Sequence, residues 1–275
     1  MQALSEKMRQ KGKTIGFVPT MGALHEGHLS LVRAAVKRTD FVVVSIFVNP
    51  LQFGPKEDLK KYPRSLKKDK KLLKVLGVDA VFAPKAASMF KKHFDAFVEP
   101  GDLSKKLCGR SRPGHFRGVT TVVARLFNIV KPHIAFFGLK DFQQQLIIRK
   151  MVKDLNMRVK IISLPTVREK DGLAMSSRNS YLSKDERQAS LVLNRSLKLA
   201  KSLVRSGTNS SAKIKKAMKK LVSKEKQVKL DYLSISDPST LEQIKKFDKE
   251  TLIALAAFVG KTRLIDNILV KPRNR

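Results

Sequence analysis

The chain has 275 residues, enough for one large or two modest domains, and 42% of them are apolar, enough for an ordinary core. Its single cysteine, Cys108, excludes an intramolecular disulfide and a CxxC metal or redox pair. Against 23 Asp and Glu stand 57 Lys and Arg, a formal charge of +34; the lysines are spread from Lys67 to Lys74, Lys213 to Lys220 and Lys245 to Lys249 rather than gathered among aromatics. That spread predicts solvated helix faces and weak, salt-dependent binding to polyanions, with no specific nucleic-acid site.

No run of ~18 apolar residues is present, so no membrane span is expected. Met1 to Lys13 is polar and lacks the apolar core of a signal peptide, which together with the lone cysteine predicts a reducing cytoplasm.

A short helix is expected over Met1 to Lys11, then a buried strand, Thr14 to Val18, apolar and β-branched. The stretch from Pro19 to His28 carries His25, Gly27 and His28 just where Leu29, Leu31, Val32, Ala35 and Val36 begin a helical period. Strand, glycine-bearing turn and helix start together present backbone N–H groups and a positive dipole end to a phosphate. No acidic or cysteine partner stands at zinc-site spacing, so phosphate leads over metal. Phe41 to Val48 reads as a strand buried on both faces, ending in the loop Asn49 to Pro55. A lysine-faced helix is expected over Asp58 to Gly77, a strand at Ala80 to Ala83, and irregular chain from Lys85 to Gly114 with a possible strand at Ala96 to Val98. Within Gly109 to Gly118, three arginines and a histidine leave two readings open, a flexible basic loop or an anion-gathering lid. A helix over Thr120 to Val130, a strand at Ile134 to Phe137, a helix reaching Val152 and a strand at Val159 to Ile162 follow. Lys140 comes just after the strand Ile134 to Phe137, at a carboxyl end, where open α/β sheets bind ligands. This alternation predicts a doubly wound parallel sheet.

Residues 1–164 form the expected first domain and 165–275 a smaller α+β domain. In the second, Met175-Ser176-Ser177-Arg178 offers hydroxyls, amides and a guanidinium for a phosphate clamp. Helices are expected over Ser183 to Ser206 and Ser211 to Ser223. Strands around Val228 to Ser236, Leu252 to Val259 and Arg263 to Val270 predict a small antiparallel sheet.

Taken together, seven segments in register resemble pantoate–β-alanine ligases: Pro19 to His28; Val44 to Pro50 with Gln52-Phe53; Tyr62-Pro63-Arg64; Ser111 to Val119; Phe137-Gly138 with Lys140 to Gln144; Asp171 to Asn179; and Arg263 to Asn267. The resemblance spans nearly the whole chain. It implies a Rossmann-like fold of the HxGH nucleotidyltransferase type. It also implies an ATP-dependent condensation of pantoate with β-alanine through a pantoyl adenylate, with AMP and pyrophosphate released. Carried over residue by residue, it implies that Met21, Gly22, Ala23, Leu24, His25, Glu26, Gly27, His28, Gly138, Leu139, Lys140, Asp141, Val167, Met175, Ser176, Ser177 and Arg178 bind ATP. His25, His28 and Lys140 are the catalytic candidates among them. Gln52 and Gln144 would hold pantoate, and Gln52 β-alanine as well, with Arg112 and His115 as weaker candidates. Mg²⁺ is expected with ATP, held mostly by phosphates, with Asp69 as a candidate ligand. A homodimer is implied, through Phe116 to Leu126 or the apolar strands. Leu139 departs from the family, which usually carries Glu there. The rival readings are an enzyme adenylylating a phosphate and a nucleic-acid-binding protein.

Overall fold

The computed structural model describes residues 1–55 and 57–272. They form two compact units, residues 1–105 with 112–166, and residues 106–111 with 167–275.

The first unit carries a five-stranded parallel sheet: β1 (Ile15–Thr20), β2 (Phe41–Ile46), β3 (Ala80–Phe82), β4 (Ile134–Gly138) and β5 (Lys160–Leu164), in the order β3-β2-β1-β4-β5. Chain order reverses between β1 and β4, so this is a doubly wound sheet with its switch point there. Side chains alternate across it. Phe17, Val43 and Phe137 pack on one face with Val119, Val123, Phe127 and Ile148. These helical residues come from α6 (His115–Val130) and α7 (Phe142–Asp154), which follow α1 (Gln2–Gln10), α2 (Glu26–Val36), α3 (Leu66–Val75), α4 (Ala86–Met89) and α5 (Cys108–Ser111) in the chain. Val18, Val42, Val44 and Phe136 pack on the other face with Leu31, Val32 and Leu73, from α2 (Glu26–Val36) and α3 (Leu66–Val75). A strand buried on both faces is apolar along most of its length, which is why β2 reads as an apolar run broken only by the buried Ser45. Phe116, Val119, Val122, Val123 and Leu126 are all buried in this core.

Pairing between β1 and β4 stops at Phe17 opposite Ala135, whereas β1 and β2 stay paired to Thr20 opposite Ile46. The early stop has a local reason. Pro19 lacks the N–H that a second ladder would need. The strand therefore continues through Pro19-Thr20, two residues past the sequence expectation, with one neighbour instead of two.

Three expectations are corrected. The lysine-faced helix covers only Leu66–Val75; Pro63 biases Tyr62 away from helical backbone. Ala96 to Val98 is not a strand; Val98 donates its N–H to Thr121 Oγ1 at 3.0 Å and its carbonyl accepts from Thr120 Oγ1, so helix threonines replace a ladder. Residues 109–118 are not a flexible loop. They comprise the end of the short helix Cys108–Ser111, a turn at 112–114 and the first turn of α6.

The second unit holds a three-stranded antiparallel sheet of β6 (Val228–Ser236), β7 (Thr251–Val259) and β8 (Thr262–Val270), in sequence order. Ile235, Ile253, Leu255 and Leu264 bury against Leu193, Leu197, Ile214 and Met218, which lie on the helices Val192–Arg205 and Ser211–Val222. The long helix expected from Ser183 is two, Lys184–Ser190 and Val192–Arg205. No helix among the described residues is long and apolar enough to cross a membrane.

Candidate active site

The turn after β1 is fixed by a buried acid. Asp69, 1% exposed, accepts the Ala23 N–H at 3.0 Å and the Leu24 N–H at 2.9 Å, one on each carboxylate oxygen. Gly22, at φ +84°, lies so close that a Cβ there would stand 2.9 Å from Ile46 and 3.1 Å from Asp69 Oδ2. Each oxygen of Asp69 thus holds one amide of the turn. This anchors the turn. Among the described residues no group of three or more His, Cys, Asp or Glu could hold a metal ion.

The two histidines cap α2 reciprocally. His25 Nδ1 accepts the Gly27 N–H at 3.1 Å, and His28 Nδ1 accepts the His25 N–H at 3.3 Å. Serine and glutamate usually share this arrangement; here two imidazoles do. Since each Nδ1 is an acceptor, each neutral ring carries its proton on Nε2. The rings lie 4.0 Å apart between centroids. Burial, then the charges of His25 and Lys140, push the pKa of His28 down to about 3, against a smaller opposing pull from Asp141. At neutral pH His28 is therefore an uncharged N–H donor.

β4 delivers the second half of this site. Its carboxyl end enters a short 3-10 turn, Leu139–Asp141, followed by α7. Lys140 Nζ stands 3.3 Å from Asp141 Oδ2. Three glutamines follow. Gln143 donates to the Leu103 carbonyl, and Gln145 accepts from Arg149 and Ser163. Gln144, between them, has no side-chain hydrogen-bond partner among the described residues.

The loop after β2 brings Gln52 to the same end of the sheet. Asn49 caps the 3-10 turn Pro50–Gln52. Its Nδ2 also donates to Gln52 Oε1 at 3.1 Å and to the Gly118 carbonyl at 3.0 Å. Gln52 Nε2 in turn approaches Met21 Sδ at 3.1 Å. Met21 and Gln52, predicted for ATP and pantoate, therefore touch.

The second unit builds its own candidate segment. Met175 donates its N–H to the Val167 carbonyl at 3.0 Å, which places two predicted nucleoside contacts side by side. Ser176 caps the 3-10 turn Ser177–Tyr181 by accepting from the Arg178 N–H. In the same unit, Arg168 forms a fork on the buried Asp266 at 2.7 and 2.9 Å. Arg187 pairs with Glu169 and Asp171, and burial's opposing pull on its pKa is outweighed by these carboxylates. The sequence resemblance includes Asp266 without giving it a role; the fork with Arg168 supplies one.

These features suit a phosphate-bearing substrate at the carboxyl ends of β1 and β4. A family model for pantoate-beta-alanine ligase matches residues 1–269. The chain belongs to the pantoate–β-alanine ligase family. It is 58% identical over 270 residues to the pantothenate synthetase of Thermotoga neapolitana, covering 98% of this chain and 96% of that one. To the pantothenate synthetase of Caldicellulosiruptor saccharolyticus it is 54% identical over 271 residues, covering 98% and 96%. The crystal structure of pantothenate synthetase from Thermus thermophilus superposes with a TM-score of 0.93 at 44% identity, covering 98% of each chain. The ligase from Francisella tularensis, solved in complex with beta-gamma ATP and beta-alanine, gives 0.79 at 35% identity, covering 97% of this chain and 95% of that one.

Proposed function

We propose that the carboxyl ends of β1 and β4 are where pantoate's carboxylate attacks the α-phosphate of ATP in this chain. The family's reaction is the ATP-dependent condensation of pantoate with β-alanine. In its first half the carboxylate displaces pyrophosphate to give pantoyl adenylate. In its second the β-alanine amine attacks the activated acyl carbon, forming the amide and releasing AMP. The observation that carries the local reading is the pair of imidazoles at the start of α2, each held through Nδ1, which puts the proton of the neutral ring on Nε2.

The first half-reaction brings an anion against a polyanion, so positioning and charge neutralisation dominate the barrier. His25 and His28 donate to phosphate oxygens where the helix dipole also favours negative charge. A neutral His28 stabilises charge developing on the phosphate rather than surrendering a proton. Lys140 supplies the mobile cation near the α-phosphate. Met21 to Leu24, with Glu26 and Gly27, form the turn along which the phosphates lie. Asp141 holds ribose hydroxyls; Gly138, Leu139, Val167 and Met175 make backbone or packing contacts with the nucleoside. Ser176, Ser177 and Arg178 clamp the phosphates. Gln144 and Gln52 orient pantoate by neutral amides, which leave the nucleophile its charge, and Gln52 also meets β-alanine. Mg²⁺ bound with ATP, held mostly by phosphates, would lower their charge.

Homodimerisation, a cytoplasmic setting, and weak polyanion binding without a specific nucleic-acid partner belong to the same proposal. Phe116 to Leu126 is largely consumed by the core of the first unit, so a dimer would use other surface. Light scattering tests the dimer, and salt-dependent gel shifts test the polyanion binding. The reaction itself is tested by AMP formation, which should require pantoate and β-alanine together. AMP release that proceeds without either substrate, or adenylylation of a phosphate ester instead, would overturn it.

A further inference from the structure

Gln52 is gripped by its backbone as well as its side chain. Its carbonyl oxygen accepts from His115 Nδ1 at 2.8 Å and from Arg112 Nη2 at 3.2 Å. A carbonyl only accepts, so Nδ1 of His115 carries the proton. Its Nε2 is then an acceptor, and Arg112 Nη1 lies 3.0 Å from it. Arg112 completes the ring through a fork on Glu57, with Nε and Nη2 each 2.6 Å from a carboxylate oxygen. The pair is mostly buried, its side chains 14% and 26% exposed. On the far side Gly118 is packed against the same turn; a Cβ there would stand 2.2 Å from the Leu51 carbonyl oxygen and 2.7 Å from the Gln52 nitrogen.

We propose that Glu57, Arg112 and His115 are positioning residues for the pantoate site, fixing the Gln52 carbonyl so that its carboxamide is presented in one place. The inference rests on the assignment of Gln52 to pantoate. It removes Arg112 and His115 from the set of direct anion ligands. The guanidinium is neutralised by Glu57, and the imidazole stays uncharged between two fixed partners. Arg117, the remaining arginine at the start of α6, stacks 3.7 Å over the Phe97 ring and pairs with Glu99, so it too is engaged elsewhere. The network is built for orientation. A bidentate fork, a single tautomer and a glycine contact together leave the Pro50–Gln52 turn little freedom, and displacements of about 1 Å at a reacting pair cost large factors in rate.

Steady-state constants of the full-length protein for pantoate and for ATP test this, with Gln52→Ala, Arg112→Lys, His115→Asn and His115→Gln. Asparagine places its amide N–H near the position of Nδ1 and keeps the bond to the Gln52 carbonyl; glutamine places its amide near Nε2 and loses that bond. We expect Gln52→Ala and Arg112→Lys each to raise the pantoate KM about tenfold or more, with the ATP KM within about twofold, because lysine cannot reproduce the fork. His115→Gln should raise the pantoate KM at least about fivefold more than His115→Asn, the scale of one hydrogen bond. A merely structural role would lower activity toward both substrates and treat the two amides alike. If Gln52→Ala raises the pantoate KM while Arg112→Lys and both His115 variants leave it at the parent value, the positioning role is wrong and the pantoate assignment stands. If Gln52→Ala itself leaves it unchanged, both fall.

Discussion

His28 accepts the backbone N–H of His25 through Nδ1 at 3.3 Å, so the ring is oriented by the residue three positions before it. His25 does the same with Gly27 at 3.1 Å. A capping box made of imidazoles solves two problems with one set of bonds. It satisfies amides that a helix start leaves open, and it settles which ring nitrogen donates.

Asp69 is the support for this turn. Asp69→Ala would leave the Ala23 and Leu24 amides without their acceptor, at a cost of about 2–4 kcal/mol, and the ATP KM should rise about tenfold or more. Thermal unfolding and ATP titration measure both effects. A variant with parental ATP affinity but a raised Mg²⁺ requirement would instead make Asp69 a metal ligand.

Gly118 tests the packing behind Gln52. With only 2.2 Å available between a Cβ and the Leu51 oxygen, Gly118→Ala should destabilise the chain by about 1–3 kcal/mol. It should also raise the pantoate KM and spare the ATP KM. Denaturant melts with unchanged midpoint would show that the backbone yields more easily than the close approach implies.

Gln144→Ala should raise the pantoate KM or lower turnover while leaving ATP binding intact. Loss of ATP affinity in this variant would mean that the amide belongs to the nucleotide instead.

Stability should depend on pH through two histidines. Burial and the charge of Arg112 hold the pKa of His115 down at about 4, against the Gln52 carbonyl, Glu57 and Asp141, which pull it up. His28 lies at about 3, with burial, His25 and Lys140 pushing down and Asp141 pulling up. Each ring starts from an ordinary value of 6.5, so between these values the unfolded chain binds more protons than the folded one. Stability is then complete above about pH 6.5 and is lost as the pH falls toward 4 and 3. The urea midpoint should fall from pH 7 to pH 4.5, and His115→Asn should remove part of that fall. An identical pH dependence in parent and variant would refute the His115 contribution.

Local signals made much of this legible in advance. The apolar runs at Ile15–Val18 and Phe41–Val44, the helical period after His28 and the hydrophobic spacing of the three late strands are properties of neighbouring residues. The interactions that orient the site were not legible, because their partners are far apart in sequence. Asp69 reaches Ala23 and Leu24 across 46 and 45 positions, Arg112 reaches Glu57 across 55, and Arg168 reaches Asp266 across 98. Charge composition misled in the same way. Arg112 and Arg117 resemble an anion trap until Glu57, Phe97 and Glu99 are seen beside them.

The most direct test of the central claim is a single-turnover measurement of pyrophosphate release from ATP and pantoate, without β-alanine, in the parent and in His28→Ala. If a preorganised neutral N–H donor at the end of β1 stabilises the transferring phosphate, the parent should release about one equivalent and the variant should be slower by about 100- to 1,000-fold. A variant rate within about tenfold of the parent, below the range for losing such a donor, would contradict the claim.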